Sequence, residues 1–272
     1  MINAQKDRFV IRKFVICYSF VICALSFVIP MPVYAEEWNE LKGDHFIVYY
    51  KTNESFAGQV RHKAEEYYRR IADDLGYARH SNFWQWENRV KIFIHADDNA
   101  FRSATGQPPW SKGVADYLSK QIHSYPWSEG FLDALLPHEI AHLVFRDFIG
   151  FKSDVPLWLD EGVAQWEEPK KRELADRVAK YLVATGADLS LRDLIRFRLG
   201  GRSEKDVNHF YMQSVSVVDF LVRRHGARSF TEFCRALRDG KGLDEALKEA
   251  YPESIGTVER LETAWKKYAL EN

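Results

Sequence analysis

The chain has almost no cysteine. Three occur in 272 residues, and two of them, Cys17 and Cys23, fall in the first 35. Once that leader is removed Cys234 stands alone, so no intramolecular disulfide can form and a disulfide-stapled scaffold is excluded. Cys234 lies in a helical pattern, Phe230-Thr231-Glu232-Phe233-Cys234, where it reads as a small buried hydrophobe rather than a nucleophile. Charge of one sign is missing too. Thirty-eight Lys and Arg stand against 39 Asp and Glu, a formal net charge of -1, which gives no bias toward a polyanion and so none toward nucleic acid. Internal repeats and low-complexity tracts are absent, and 46% hydrophobic residues are too many for a disordered chain. A long apolar run is also lacking: a membrane helix needs about 20 apolar residues, and the stretch Phe14 to Ile29 has about sixteen.

That stretch has another use. Lys6, Arg8, Arg12 and Lys13 form a basic front before it, Pro30 and Pro32 break it, and Val33-Tyr34-Ala35 offers small residues where a signal peptidase reads. Residues 1–35 are expected to be a cleaved signal peptide and the mature protein to be periplasmic or secreted, with an uncleaved membrane anchor as the alternative. Cleavage removes four basic residues and one acid and moves the net charge from -1 to -4.

The next part of the chain, 36–127, alternates strand and helix. His45 to Lys51 and Arg89 to His95 are rich in β-branched and aromatic residues and predict strands. Phe56 to Leu75 has helical spacing, closed by Gly76, and Asp97 or Asp98 predicts a cap for a short helix through Phe101. Val114 to Leu118 and Gln121 to Tyr125 predict two strands turning at Ser119-Lys120, with Gln121 to Tyr125 as the sheet edge that a peptide substrate would pair with. From 128 to 272 the pattern is helical: Phe131 to Ile149, Pro156 to Glu168, Pro169 to Thr185, Leu191 to Phe197, Val207 to His225, Ser229 to Asp239, Leu243 to Ala250 and Ile255 to Leu270.

The chemistry is concentrated in His138-Glu139-Ile140-Ala141-His142. On a helix, positions four apart share a face, so both imidazoles can address one ion. Glu139 is rotated about 100° from His138 and falls beside that ion, where a general base for a metal-activated water belongs. A hydrolytic zinc takes three protein ligands and keeps one position open; Glu161, in Trp158-Leu159-Asp160-Glu161-Gly162-Val163-Ala164-Gln165-Trp166, is the third. A bare HExxH arises by chance in roughly one in a hundred chains of this size, so the second carboxylate-bearing helix and a later tyrosine-bearing one decide the matter.

These residues resemble the gluzincin metallopeptidases, the peptidase MA-like domains related to thermolysin and the M1 aminopeptidases. Eighteen residues separate His142 from Glu161, the M1 interval, and Trp158 to Ala164 is similar to the M1 run Trp-Leu-Asn-Glu-Gly-Phe-Ala, with Asp160 in place of Asn. The resemblance spans Leu136 to Leu221. It implies an α+β, zincin-like fold: an N-terminal mixed β-sheet with helices, a helical C-terminal lobe, and the zinc site between them, together one peptidase domain. It implies one Zn2+ held by His138, His142 and Glu161, Glu139 as base, and Tyr211, in Tyr211-Met212-Gln213-Ser214, as the donor to the transition-state oxyanion. The M1 string Gly-x-Met-Glu-Asn, whose acid grips a free amino terminus, has no counterpart; Gly113-Val114-Ala115-Asp116-Tyr117 occupies its place, which favours an endopeptidase over an aminopeptidase. Where thermolysin has an Asp four residues after the ligand Glu, this chain has Gln165, whose carbonyl can still accept an imidazole N–H.

Other polar residues are assigned no chemistry. His45, His62, His80, His95, His123, His209 and His225 are expected to be structural or surface groups, although His123 sits where it could face the cleft. Trp158 and Trp166 are expected to pack the ligand helix. Asp160 stands open between an acceptor beside the metal and a solvated acid. The expected partner is a peptide or protein substrate, with a membrane only if the leader is retained; no oligomeric state follows. The rival reading is a zinc-binding, non-catalytic scaffold or sensor of the cell envelope, against which Glu139 argues because a purely structural site needs no base. Hydrolysis of a non-peptide amide is a third.

Overall fold

The computed structural model describes residues 38–77, 84–127, 130–150 and 155–271. The expected signal peptide and His80 lie outside the described residues. No helix among those described is long and apolar enough to cross a membrane. The architecture is mixed α+β: five strands in one sheet and ten α-helices among the described residues. The described residues divide into two units, one drawn from 38–69, 84–127 and 130–143, the other from 70–77, 144–150 and 155–271.

The first unit holds the sheet. Its strands are β1 (Asn39–Lys42), β2 (Phe46–Tyr50), β3 (Val90–Ile94), β4 (Gly113–Asp116) and β5 (Gln121–Ser124), in the order β1-β2-β3-β5-β4. β2, β3 and β5 are parallel neighbours, while β1 and β4 are antiparallel and lie at the edges. Parallel neighbours need a crossover, and α1 (Glu54–Asp74) supplies it between β2 and β3. Alternation along β2 and β3 buries Phe46, Val48, Tyr50, Val90, Ile92 and Ile94 on one face. Phe46, Tyr68 of α1 and Trp84 meet there as one aromatic cluster, with ring centroids 4.8 to 6.3 Å apart. The opposite face is half open and carries Tyr49, Phe93 and His123 in register, stacked at 4.8 and 4.7 Å.

One expectation for this unit is corrected. The outer strand on that side of the sheet is β4, not the strand Gln121 to Tyr125. β5 pairs on both sides, parallel to β3 and antiparallel to β4, so its ladder groups are used. The turn between them is shaped by Asp116, whose carboxylate accepts from the Leu118 and Ser119 N–H groups at 2.9 and 3.3 Å. β1 was not expected at all. Asn39-Glu40-Leu41-Lys42 is polar and short, and only its backbone pairing with β2 makes it a strand. The cap at Asp97 is as expected: it accepts from Ala100 N–H at 2.8 Å and opens α2 (Asp98–Thr105).

The second unit is helical. It contains α4 (Leu157–Trp166), α5 (Pro169–Thr185), α6 (Leu191–Arg196), α7 (Glu204–His225), α8 (Ala227–Arg238), α9 (Leu243–Ala250) and α10 (Val258–Glu271). α7 starts earlier than its apolar periodicity suggests, because Ser203 caps it, accepting from Asp206 N–H at 3.2 Å while its hydroxyl donates to the Asp206 carboxylate at 2.8 Å. Pro156 stands just outside α4, and its carbonyl accepts from Leu159 N–H at 3.0 Å. Every residue of α4 from Trp158 to Trp166 is buried, as a helix packed on all sides must be. It packs on α7 through Gly162, where an added Cβ would lie 2.6 Å from the Ser214 carbonyl oxygen and 2.8 Å from Val218 Cγ2. Only glycine permits that approach. Cys234 is buried among these helices, its thiol pushed up to about 12 chiefly by burial, which leaves it inert.

Candidate metal centre

The helix bearing the histidines begins with a break in register. Phe131–Leu135 forms a π-helical turn, and the Gly130 carbonyl accepts from both Ala134 and Leu135 N–H at 2.9 Å. Gly130 has φ 96°, a conformation side chains resist. α3 (Leu136–Ile149) follows, with Pro137 in its first turn, where a missing N–H leaves no bond unmade. It ends at Gly150, φ 79°, whose N–H reaches the Arg146 carbonyl at 2.8 Å.

His138, Glu139 and His142 are all buried on α3. The Nε2 atoms of His138 and His142 are 3.1 Å apart, with ring planes at 83°. One ligand atom from each of His138, His142 and Glu161 lies within 4.8 Å of the others, the one such group of three among the described residues. Zinc with bonds of about 2.0–2.2 Å in tetrahedral array sets its ligand atoms roughly 3.3 Å apart, so the two nitrogens stand at the required spacing. Two imidazoles and a carboxylate are a donor set zinc accepts. The buried Oε1 of Gln165, four residues after Glu161, has no hydrogen-bond partner among the described residues, an acceptor suited to an imidazole N–H.

Tyr211 is buried on α7. Val218, which meets Gly162, lies seven residues further on, and seven residues bring a helix back to the same face. Tyr211 therefore occupies the α7 face that packs against α4, the helix of Glu161. Trp158 and Trp166 are buried, as packing residues should be. Asp160 is not a solvated acid: its side chain is 1% exposed and its Oδ2 accepts from Arg146 Nε and Nη2 at 3.1 and 2.7 Å.

The C-terminal end of α4 is held by a second polar group. Trp166 Nε1 donates to Asp219 at 2.7 Å, Arg223 Nε lies 2.7 Å from the same carboxylate, and the Arg172 guanidinium sits 3.4 Å above the Trp166 ring. Burial raises Asp219 to about 6 against these donors. Glu167, next to Trp166, is pushed up to about 7 by burial although Arg70 donates to it at 3.2 Å and Arg172 lies 3.9 Å away.

Three features were not anticipated from the sequence. Tyr117, directly after β4, packs edge-on against His142 with centroids 6.0 Å apart. Arg146 follows His142 by four residues, a spacing that places it on the imidazole face of α3 and was the signal available. His95 and His123 form a second pair, Nε2 to Nδ1 at 3.1 Å, and His123 Nε2 lies 3.1 Å from Gln121 Oε1. Burial, and then His95, lower His123 to about 4. The pair sits on the half-open sheet face as a hydrogen-bonded chain. His45 is likewise structural, 2.8 Å from the Glu65 carboxylate.

A mixed α+β chain that groups two histidines and a glutamate on buried helices has the donors that could hold a metal ion. A family model for the Peptidase MA superfamily matches residues 79–271, and the chain is a member of that superfamily. A comparison with curated proteins finds no match.

Proposed function

We propose that the protein is a zinc-dependent metallopeptidase that cuts within peptide chains. The observation that carries this reading is the convergence of His138, His142 and Glu161 on one point, beside a buried Glu139, in a member of a peptidase superfamily. His138, His142 and Glu161 would hold one Zn2+. When bound, the ion supplies Lewis acidity and brings a water within reach of deprotonation near neutral pH. Glu139 takes the proton from that water as it attacks the peptide carbonyl and passes it to the leaving amine. Tyr211 donates its phenolic hydrogen to the oxygen that gains charge. Gln165 accepts an imidazole N–H and so fixes a ligand's ring.

The edge strand supports a peptide as the substrate. β4 is an outer strand of the sheet, the kind of strand an extended chain can pair with. Tyr117 ends that strand against His142, so a peptide laid along β4 runs toward the metal ligands. Internal cleavage is favoured because no Gly-x-Met-Glu-Asn acid is present to hold a free amino terminus. With residues 1–35 read as a cleaved leader the activity would lie in the periplasm or the medium, and with an uncleaved leader it would be anchored to a membrane; the basic front and the apolar stretch before Pro30 support the first reading.

The test is Glu139→Gln. The variant should bind zinc as the wild type does and lose about 10²–10⁴ in turnover on an unstructured protein. Full turnover with zinc retained would remove Glu139 from the chemistry. Internal fragments, sensitive to a chelator, identify an endopeptidase.

A further inference from the structure

We propose that Arg146 and Asp160 are positioning residues for the third metal ligand, a role that rests on reading His138, His142 and Glu161 as a metal centre. Arg146 lies on the helical row of His138 and His142, one turn beyond the second imidazole. Asp160 immediately precedes Glu161 on α4. Both guanidinium bonds, at 3.1 and 2.7 Å, go to the same oxygen of Asp160, and the side chains are 19% and 1% exposed. The pair ties the α3 row that carries the imidazoles to the residue adjoining the carboxylate.

The other neighbour of Glu161 is held as well. Gly162 stands so close to Ser214 that a methyl group there would come within 2.6 Å of a backbone oxygen. Glu161 is thus bracketed, by an ion pair before it and by a helix contact after it. A carboxylate that enters a metal site from a mobile backbone must first be ordered, at a cost in conformational entropy. Bracketing the backbone in the metal-free protein removes that cost in advance. Stability does not account for the pair, because desolvating a buried ion pair cancels most of its Coulombic gain. What an Arg–Asp pair supplies at this place is direction: two donors in a fixed plane meeting one acceptor.

A purely structural pair can be replaced by apolar side chains of similar volume with little effect on anything. The decisive variant is therefore the double substitution Arg146→Met/Asp160→Leu, with Arg146→Lys as the conservative partner. Zinc affinity is read by competition with a chromogenic chelator, and the Tm of the metal-free protein is read alongside. The expected result is a metal-free Tm close to wild type with zinc affinity about 10–100-fold lower in the double variant. Arg146→Lys, which keeps the charge but loses the fixed planar pair of donors, should fall between. A double variant that binds zinc as tightly as the wild type overturns the proposal. Should that variant not fold, wild-type affinity in Arg146→Lys overturns it instead. A wild-type protein that binds no zinc takes down the metal centre itself, and the positioning role with it.

Discussion

His138 and His142 bring their Nε2 atoms to 3.1 Å, and His95 Nε2 stands the same 3.1 Å from His123 Nδ1. The first pair is local, one helical turn apart. The second is assembled from β5 and the residue directly after β3, 28 positions apart in the chain. What separates them chemically is the third group. Around the first pair a carboxylate, Glu161, shares the point on which both nitrogens converge. Beside the second, the amide of Gln121 lies against the far nitrogen of His123, Nε2, while Nδ1 faces His95. The ligand atoms of the first group lie within 4.8 Å of one another, whereas those of the second follow one another as a hydrogen-bonded chain. One proton arrangement satisfies that series: His95 donates from Nε2 to His123 Nδ1, and His123 donates from Nε2 to Gln121. Separation between two histidines therefore does not define a metal site; the direction and charge of the third donor do.

The sharpest way to break this contrast is Glu161→Gln, which gives the first pair the uncharged amide of the second. Removing one of three ligands should cost about 10²–10⁴ in zinc affinity, roughly a third of a typical zinc binding free energy. Titration calorimetry reads this directly, and an unchanged constant would move the metal elsewhere.

The second pair should show itself in acid. His123 is lowered from 6.5 to about 4, so its imidazolium is disfavoured in the fold but not in the unfolded chain. A depressed pKa contributes stability that is complete above about 6.5 and is lost as pH falls toward 4, on the order of 3 kcal/mol. Glu167 and Asp219 act with the opposite sign: raised to about 7 and about 6, they add stability at low pH and lose it as pH rises through those values. The isolated quantity is the difference between wild type and His123→Asn in the metal-free protein, by denaturant unfolding at pH 7 and 4.5. Equal differences at the two pH values would show that His123 ionises freely.

The smallest effect sharpens the geometry. Gln121→Glu sets an anion beside His123 Nε2, so the imidazolium is stabilised and its pKa should rise by about a unit or more, seen by proton NMR titration. No second zinc should bind, because the new carboxylate lies on the wrong side of the ring. Two zinc ions per chain would refute the linear arrangement.

Much of this was legible beforehand. The helical spacing of His138 and His142, the carboxylate at Glu161, the cap at Asp97, and the limits of Pro169–Thr185 and Leu243–Ala250 all follow from local rules. β1 was invisible because Asn39 to Lys42 has no side-chain pattern and exists only through its neighbour's backbone. The edge was misplaced because both strands of a hairpin look alike in sequence, and the parallel pairing with β3, which decides the outer strand, joins residues 30 positions apart. Asp160 could not be settled either, since a carboxylate is solvated or buried according to a partner fourteen positions away.

By itself the order of amino acids determined what short-range geometry can determine: two imidazoles on one helical face and a glutamate rotated beside them. The tertiary fold alone decided that Glu161 reaches the imidazoles, that Arg146 grips its neighbour, and that His95 and His123 meet without a third converging donor. The physical reason is range. A helix repeats every 3.6 residues and writes its faces into the sequence, whereas the meeting of distant elements depends on how whole surfaces pack, which no local spacing records.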